Sequence, residues 1–306
     1  MKLSIIIPVY NESENIEELY ARLKKTLIKD FSKFNYEMLF IDDGSTDQSF
    51  SIIQNLSKKD KKIHAIQFSR NFGHHAAISA GIKFVSGNYV VMMDGDLQDR
   101  PEEIIKLYNT LLKGYDIVYG IRTKRCEPFM KHITSILFWK LINKISGLNV
   151  PENQSMLRIF NKNVHSALKE FKESSRFYAG MFAWVGYKQG ICKIKNDRRK
   201  NGKSKYSFSK MFALTINATL GFSNLPLYYI SYTGIIVSFL AVILGVVFIV
   251  RKIVFNLGLI GWPSLFILLS FLGGIIIFSI GVLGIYISKI YQESLDRPLY
   301  ITRRII

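Results

Sequence analysis

Apolar positions along this chain follow two rhythms, and the change between them falls near residue 207. Before it, short apolar runs alternate with helical periodicities. Leu3–Val9 reads as a buried strand. Asn11 is placed to cap the next helix, with Glu14 three residues on in capping-box spacing. Ile16, Leu19, Tyr20, Leu23 and Leu27 then recur on one face of that helix. Tyr36–Ile41, Ile63–Phe68, Tyr89–Met93 and Ile117–Gly120 predict further strands, with a small-residue helix over Ala76–Phe84. Asp99 is expected to cap a helix opening on Pro101, Glu102 and Glu103, since a first-turn proline lacks only a donor that would go unpaired. Repeated βα units of this kind predict a mostly parallel sheet with ligands at the carboxyl ends of its strands.

Beyond Arg122 the alternation breaks. Met130–Ile145 suits an amphipathic helix, Leu157–Phe160 and Gly190–Lys195 suit short strands, and Asn196–Tyr206 is a polar, basic loop. The second rhythm is nearly unbroken. Between Met211 and Ser288 the only charges are Arg251 and Lys252. Ser207–Phe222 fits a helix lying at a bilayer surface. Ile230–Val250 would span about 31 Å as a helix, matching a hydrocarbon core of about 30 Å. Leu265–Ser288 has similar reach, and a buried core helix seldom stays apolar all round at this length. The expected organisation is a catalytic domain over 1–206, a juxtamembrane helix over 207–225, two transmembrane helices within 226–288 and a tail over 289–306.

Charge refines that layout. The net charge of +18 is concentrated beside the apolar runs, with nine Lys/Arg in Lys188–Lys210 and Lys289, Arg297, Arg303 and Arg304 beyond the second run. Leu3–Val9 is too short for the apolar core of a secretory signal. By the positive-inside rule the catalytic domain and both ends are expected in the cytoplasm, on a multi-pass inner-membrane protein. No base-reading element accompanies the basic residues, so phosphates and anionic lipid headgroups explain them better than nucleic acid. Cys126 and Cys192 have no metal or redox spacing.

Candidate chemistry sits where strands end. Asp94-Gly95-Asp96 follows the fourth strand and Asp42-Asp43 the second. Two carboxylates one residue apart suit Mg²⁺ or Mn²⁺ bridging a diphosphate, because hard cations take carboxylate oxygens and leave room for phosphate oxygens. Gln98 supplies a further carbonyl. The adjacent His74 and His75 point apart on a helix and read as pocket-rim residues, and Trp139, Trp184 and Trp262 as core or interfacial aromatics.

Four ordered segments carry a resemblance: Ile6-Ile7-Pro8-Val9-Tyr10-Asn11-Glu12, Asp42-Asp43-Gly44-Ser45-Thr46-Asp47, Ser69-Arg70-Asn71-Phe72-Gly73 and Met93-Asp94-Gly95-Asp96-Leu97-Gln98. Together they resemble the family 2 inverting glycosyltransferases of GT-A fold. Met156-Leu157-Arg158, Gly202-Lys203-Ser204-Lys205-Tyr206, Gly284-Ile285-Tyr286-Ile287 and Arg297-Pro298-Leu299-Tyr300 narrow the likeness to the polyprenyl-phosphate glycosyltransferases. The resemblance implies an α/β GT-A nucleotide-sugar-binding domain on a two-helix transmembrane hairpin. It implies transfer of one sugar, with inversion, from a nucleotide diphosphate sugar to a polyprenyl phosphate such as undecaprenyl phosphate. Pro8, Tyr10, Glu12 and Asp43 would line the base and ribose pocket. Asp94, Asp96 and Gln98 would hold the metal, and Arg122, Arg199, Ser204 and Lys205 would face phosphates of donor or acceptor.

The chain departs from that pattern at Met156, where many relatives offer an aspartate; the nearest carboxylate is Glu152. A lipid phosphate has a second pKa of about 6, so it is largely dianionic at neutral pH and needs positioning more than a base. Ile285 also stands where relatives often carry glutamate. Two competing readings remain: a glycosyltransferase acting on another lipid acceptor, and a catalytically inactive GT-A scaffold, with homo-oligomers compatible with each.

Overall fold

The computed structural model describes residues 1–122, 151, 154–173, 176–197, 225–255 and 261–306. Its strands are β1 (Lys2–Val9), β2 (Asn35–Asp42), β3 (Ile63–Phe68), β4 (Tyr89–Met92), β5 (Ile117–Arg122), β6 (Gln154–Asn161), β7 (Gln189–Ile194) and β8 (Thr302–Ile305). The helices are α1 (Ile16–Asp30), α2 (Ser49–Lys59), α3 (His74–Phe84), α4 (Ile104–Leu111), α5 (Lys162–Lys169), α6 (Tyr178–Trp184), α7 (Leu225–Phe255) and α8 (Trp262–Ser294). Two compact units result. One contains Met1–Thr215 together with Arg297–Ile306, the other Ile216–Asp296.

In the first unit, the head, the strands form one sheet in the order β7-β5-β6-β4-β1-β2-β3-β8. β1 pairs in parallel with β2 and β4, β2 with β3, and β5 with β7. β6 runs antiparallel between β4 and β5, and β8 antiparallel along β3. The central strands are buried on both faces, which is why β1 reads as an apolar run and not an alternation. Leu3, Ile5, Ile7 and Val9 meet Ile16, Leu19, Leu23 and Leu27 of α1, Phe50 and Ile53 of α2, and Ile104 and Leu107 of α4 in a single core. The apolar period read for α1 is therefore the face it buries.

Two helix starts differ from expectation. α1 begins at Ile16 with Asn15 as its cap, one turn beyond Asn11. Asn11 instead adopts a left-handed φ of 54°, and its side-chain oxygen accepts from the Thr46 amide at 2.9 Å. Asparagine tolerates that backbone and bonds locally, so the loop wins over the helix. Asp99 caps nothing: Arg100 precedes the 3₁₀ turn Pro101–Glu103, and the Asp99 carboxylate is fully buried elsewhere. Met130–Ile145 and Ser207–Phe222 lie outside the described residues.

The second unit contains α7 and α8. Leu227–Arg251 and Leu268–Ser294 are each long and apolar enough to cross a membrane, and many of their large side chains, Phe239, Ile249, Ile277 and Phe278 among them, are exposed.

Candidate active site

The carboxyl ends of β1 to β5, together with the start of β6, share one edge of the sheet, so loops far apart in sequence meet there. The loops after β1 and β2 are laced together. The Asn11 amide donates to Ser45 Oγ (2.9 Å), the Glu12 amide to Ser49 Oγ (2.9 Å) and the Ser13 amide to Asp47 Oδ2 (3.1 Å). The Glu12 carboxylate accepts from Asn15 Nδ2 at 2.7 Å. Asp43 reaches the loop after β3: its carboxylate accepts from the Phe72 amide (2.7 Å) and the Gly73 amide (3.0 Å). Burial pushes the Asp43 carboxyl up, and those two amides oppose it. Gly44 makes the approach of the two loops possible. It sits at φ 67°, and a β-carbon there would lie 2.3 Å from the Arg70 carbonyl carbon.

The acidic loop follows β4. The Met93 amide donates to the Ile6 carbonyl at 3.1 Å, continuing the sheet, and Gly95 then packs over the Pro8 carbonyl. Asp96 Oδ1 accepts from the Gln98 amide at 3.1 Å across a turn in which Leu97 takes φ 61°. His74 Nε2, at the start of α3, lies 3.7 Å from Asp94 Oδ1. Burial pushes the Asp94 carboxyl up to about 8; Asp96 and Asp99 add to the shift, and Arg122 and Arg158 oppose it. Burial also drives His74 and His75 down to about 4. The His74 contact is therefore a neutral one at ordinary pH.

A second polar group lies behind this loop. Asp99 accepts from the Ser155 hydroxyl, and Arg122 Nη2 donates to Asp99 Oδ1 at 3.2 Å. Arg122 Nη1 donates to Gln98 Oε1 at 3.3 Å, so the carbonyl expected to face a metal is shared with a guanidinium. The end of β7 is tied to the same loop: Asn196 bridges to Asp99, the Asp197 amide donates to the Gln98 carbonyl (2.9 Å), and Arg100 Nε donates to Asp197 Oδ2 (2.9 Å). Arg158 is buried beneath, 3% exposed. Its Nη2 donates to the Ser155 carbonyl at 3.0 Å, and the cation lies over the Tyr119 and Phe182 rings. Met156 accepts from Arg158 Nε through its backbone carbonyl at 3.3 Å, and its side chain offers only a sulfur, at 3.8 Å.

The structure thus brings Pro8, Tyr10, Glu12, Asp43, Asp94, Asp96, Gln98 and Arg122 to one edge of one sheet. Glu152, Arg199, Ser204 and Lys205 lie outside the described residues. The sequence reading missed Asp99 and Ser155 as the anchor of Arg122, and His74 as the neighbour of Asp94. The first depends on an antiparallel β6 that nothing local announces; the adjacent histidines at the head of a helix were the available signal for the second.

Residues 4–168 match the family described as glycosyl transferase family 2. The chain belongs to that family, and the head is its GT-A-type α/β domain. Among its relatives, the uncharacterized glycosyltransferase YkcC of Bacillus subtilis is 38% identical over 305 residues, covering 99% of this chain and 94% of that protein. The bactoprenol glucosyl transferase of Shigella phage SfV is 35% identical over 304 residues, covering 99% and 98%. Among solved structures, a mannosyltransferase from Pyrobaculum calidifontis in complex with GDP-Man and Mn²⁺ is similar at a TM-score of 0.49 and 14% identity. That likeness covers 72% of this chain and 63% of the mannosyltransferase.

Proposed function

We propose that this protein transfers a single sugar, with inversion, from a nucleotide diphosphate sugar to a polyprenyl phosphate in the membrane, undecaprenyl phosphate in a bacterium. One observation carries the reading: a strand-end acidic site and two bilayer-length apolar helices occur in a chain 35% identical, over nearly its whole length, to a bactoprenol glucosyl transferase.

Pro8, Tyr10 and Glu12 line the nucleoside side of the edge, and Asp43 sets its wall by holding the Phe72–Gly73 backbone. Asp94 and Asp96 fit a divalent cation, Mg²⁺ or Mn²⁺, with Gln98 beside them. Among the described residues no three His, Cys, Asp or Glu side chains form a ready-made cage, so the remaining ligands would be diphosphate oxygens. Burial holds the Asp94 carboxyl near 8, with Asp96 and Asp99 adding to it, and a cation would offset both the burial and the repulsion. Such a cation supplies counter-charge to the departing diphosphate. Arg122, fixed by Asp99 and Gln98, presents a second positive group at the same edge, and Arg199, Ser204 and Lys205 contribute phosphate contacts from the basic loop. The lipid phosphate attacks the anomeric carbon opposite the leaving diphosphate. Met156 accepts no proton; a dianionic phosphate does not need it to, and Glu152 acts at most as an auxiliary carboxylate.

The chain leaves the head for the apolar pair and re-enters it at Arg297, so an even number of crossings follows if the helices span a bilayer. The basic flanks put the head in the cytoplasm. External labelling of intact cells should modify Gly258→Cys and spare Thr302→Cys; labelling of Thr302→Cys would refute this topology.

The deciding experiment is incubation of purified protein with undecaprenyl phosphate and a panel of nucleotide sugars, read by the mass of the lipid product. One added hexose is expected with one of the donors. Nucleotide binding without any lipid product would favour the inactive scaffold, the reading to which Met156 lends weight.

A further inference from the structure

The segment after α8 does more than close the sheet. β8 pairs with β3 through Ile66↔Ile305, Gln67↔Arg304 and Phe68↔Thr302, and the Ala65 and Ile306 backbones exchange hydrogen bonds at 2.7 and 2.9 Å. The pairing reaches the last residue before the glycine-ended loop, where the Ser69 amide donates to the Ile301 carbonyl at 2.9 Å. Just ahead of it, the Tyr300 ring lies stacked on Phe68, centroids 4.8 Å apart and planes 12° apart. Phe68 meets Phe72 edge-on at 5.8 Å, and the Phe72 amide is the 2.7 Å donor to Asp43. Arg70 covers the Phe72 ring from 4.3 Å. Partial burial raises the Tyr300 hydroxyl, as expected for a half-buried ring.

We propose that Tyr300 is a positioning residue for the nucleotide pocket, acting through Phe68 and Phe72 on the loop that Asp43 grips. This rests on the reading of Asp43 and its neighbours as the nucleoside wall. The geometry gives the physical reason. Residues 69–73 lie between two anchors, the Asp43 carboxylate on one side and the stacked pair Tyr300–Phe68 on the other. Gly73 has a positive φ of 98°, and a β-carbon there would meet nothing within 4 Å, so the loop is held at that end by its amide bond to Asp43 and not by side-chain packing. An aromatic pair contributes beyond its buried area, and it does so through its ring face and not through a hydroxyl. Because Arg297 directly follows the apolar unit, the stack also links the order of the pocket to the chain's return from α8.

Calorimetric titration of the full chain in detergent with UDP and with GDP, each in the presence of Mn²⁺, tests this. Tyr300→Ala is expected to weaken binding of the preferred nucleotide about tenfold. Tyr300→Phe should stay within about twofold of the parent, because the stack survives. Phe72→Leu, which keeps the backbone donor but loses the edge contact, should fall between the two; it decides the matter if Tyr300→Ala does not fold. Parent-like affinity in a folded Tyr300→Ala or in Phe72→Leu overturns the proposal. So does a loss in Tyr300→Phe equal to that in Tyr300→Ala, which would assign the effect to the hydroxyl. Failure of the parent itself to bind either nucleotide would instead overturn the reading of the pocket, and the role of Tyr300 with it.

Discussion

The two halves of the site edge are built to opposite plans. On the side of β1, β2 and β3, side chains are consumed by the backbone of neighbouring loops: Asn11 by Thr46, Asp47 by Ser13, Asp43 by Phe72 and Gly73. On the side of β4, β5 and β6, buried polar atoms lack partners among the described residues, Arg158 Nη1, Arg122 Nε and both amide atoms of Gln154 being examples. A buried polar group without a partner costs about 1–3 kcal/mol, more for a charged one. The first half is largely finished before any ligand arrives, with Asp42 Oδ2 and His75 Nδ1 its open atoms among the described residues. The second carries buried charge, Arg158 and Arg122, beside Asp94 and Asp96, and on the proposed reading a charged ligand completes it. Shape is fixed in one place and electrostatic demand is kept in the other.

The sharpest way to break this contrast is at the unfinished side. Asp96→Asn should lower sugar transfer by on the order of 10²–10³, with chelator doing the same to the parent, because the diphosphate loses counter-charge. Near-parent turnover in either case would remove the metal from the account. On the finished side, Gly44→Ala forces a left-handed alanine against the Arg70 and Asn71 backbone. The strain is about 1–3 kcal/mol. Nucleotide affinity should drop about tenfold or more with a lower melting midpoint, and an unchanged affinity would show that the loop is not preformed.

Arg158→Met sharpens the difference from within. Removing a buried cation that has no ion-paired carboxylate among the described residues should leave the melting midpoint level or higher, while transfer falls about tenfold. A large loss of stability would mean that the charge supports the fold rather than the substrate.

The smallest effect concerns pH. Burial holds His165 below its usual value, with Nε2 2.7 Å from the Ile82 carbonyl, and holds His75 near 4. Unfolded histidines take up protons as pH falls below about 6.5 and these do not. Their stabilising contribution is therefore present above about 6.5 and is lost on acidification through their folded values. The raised Asp94 carboxyl has the opposite sign, its contribution fading as pH rises toward about 8, so the informative quantity is a difference between variants. The melting midpoint of His165→Gln should fall less than the parent's between pH 7 and pH 5.5; a parallel fall would remove His165 from the linkage.

Much of this was legible in the residues. Acidic clusters following apolar runs marked the edge of the sheet where the loops after β1, β2 and β4 meet, because a parallel strand must end where its loop begins. Uncharged length marked α7 and α8 for the same elementary reason. What sequence periodicity did not reveal depends on distant partners. Asp99 looked like a helix cap because it precedes Pro101, but Ser155 and Arg122 compete for it from strands far along the chain. Asn11 looked like a cap until the loop after β2 claimed its side chain. Thr302–Ile305 contains two arginines and no apolar alternation, so only the free edge of β3 makes it a strand.

That late strand also sets an order of events during synthesis. β3 presents an open row of amides and carbonyls until residues 302–305 exist, and exposed sheet edges invite wrong pairings. At about 5–20 residues per second the wait is roughly 10–50 s, and both apolar helices are made in the interval. The sheet is therefore completed only after the hydrophobic segments have emerged, so a copy stalled between them carries an unclosed edge for quality control to find.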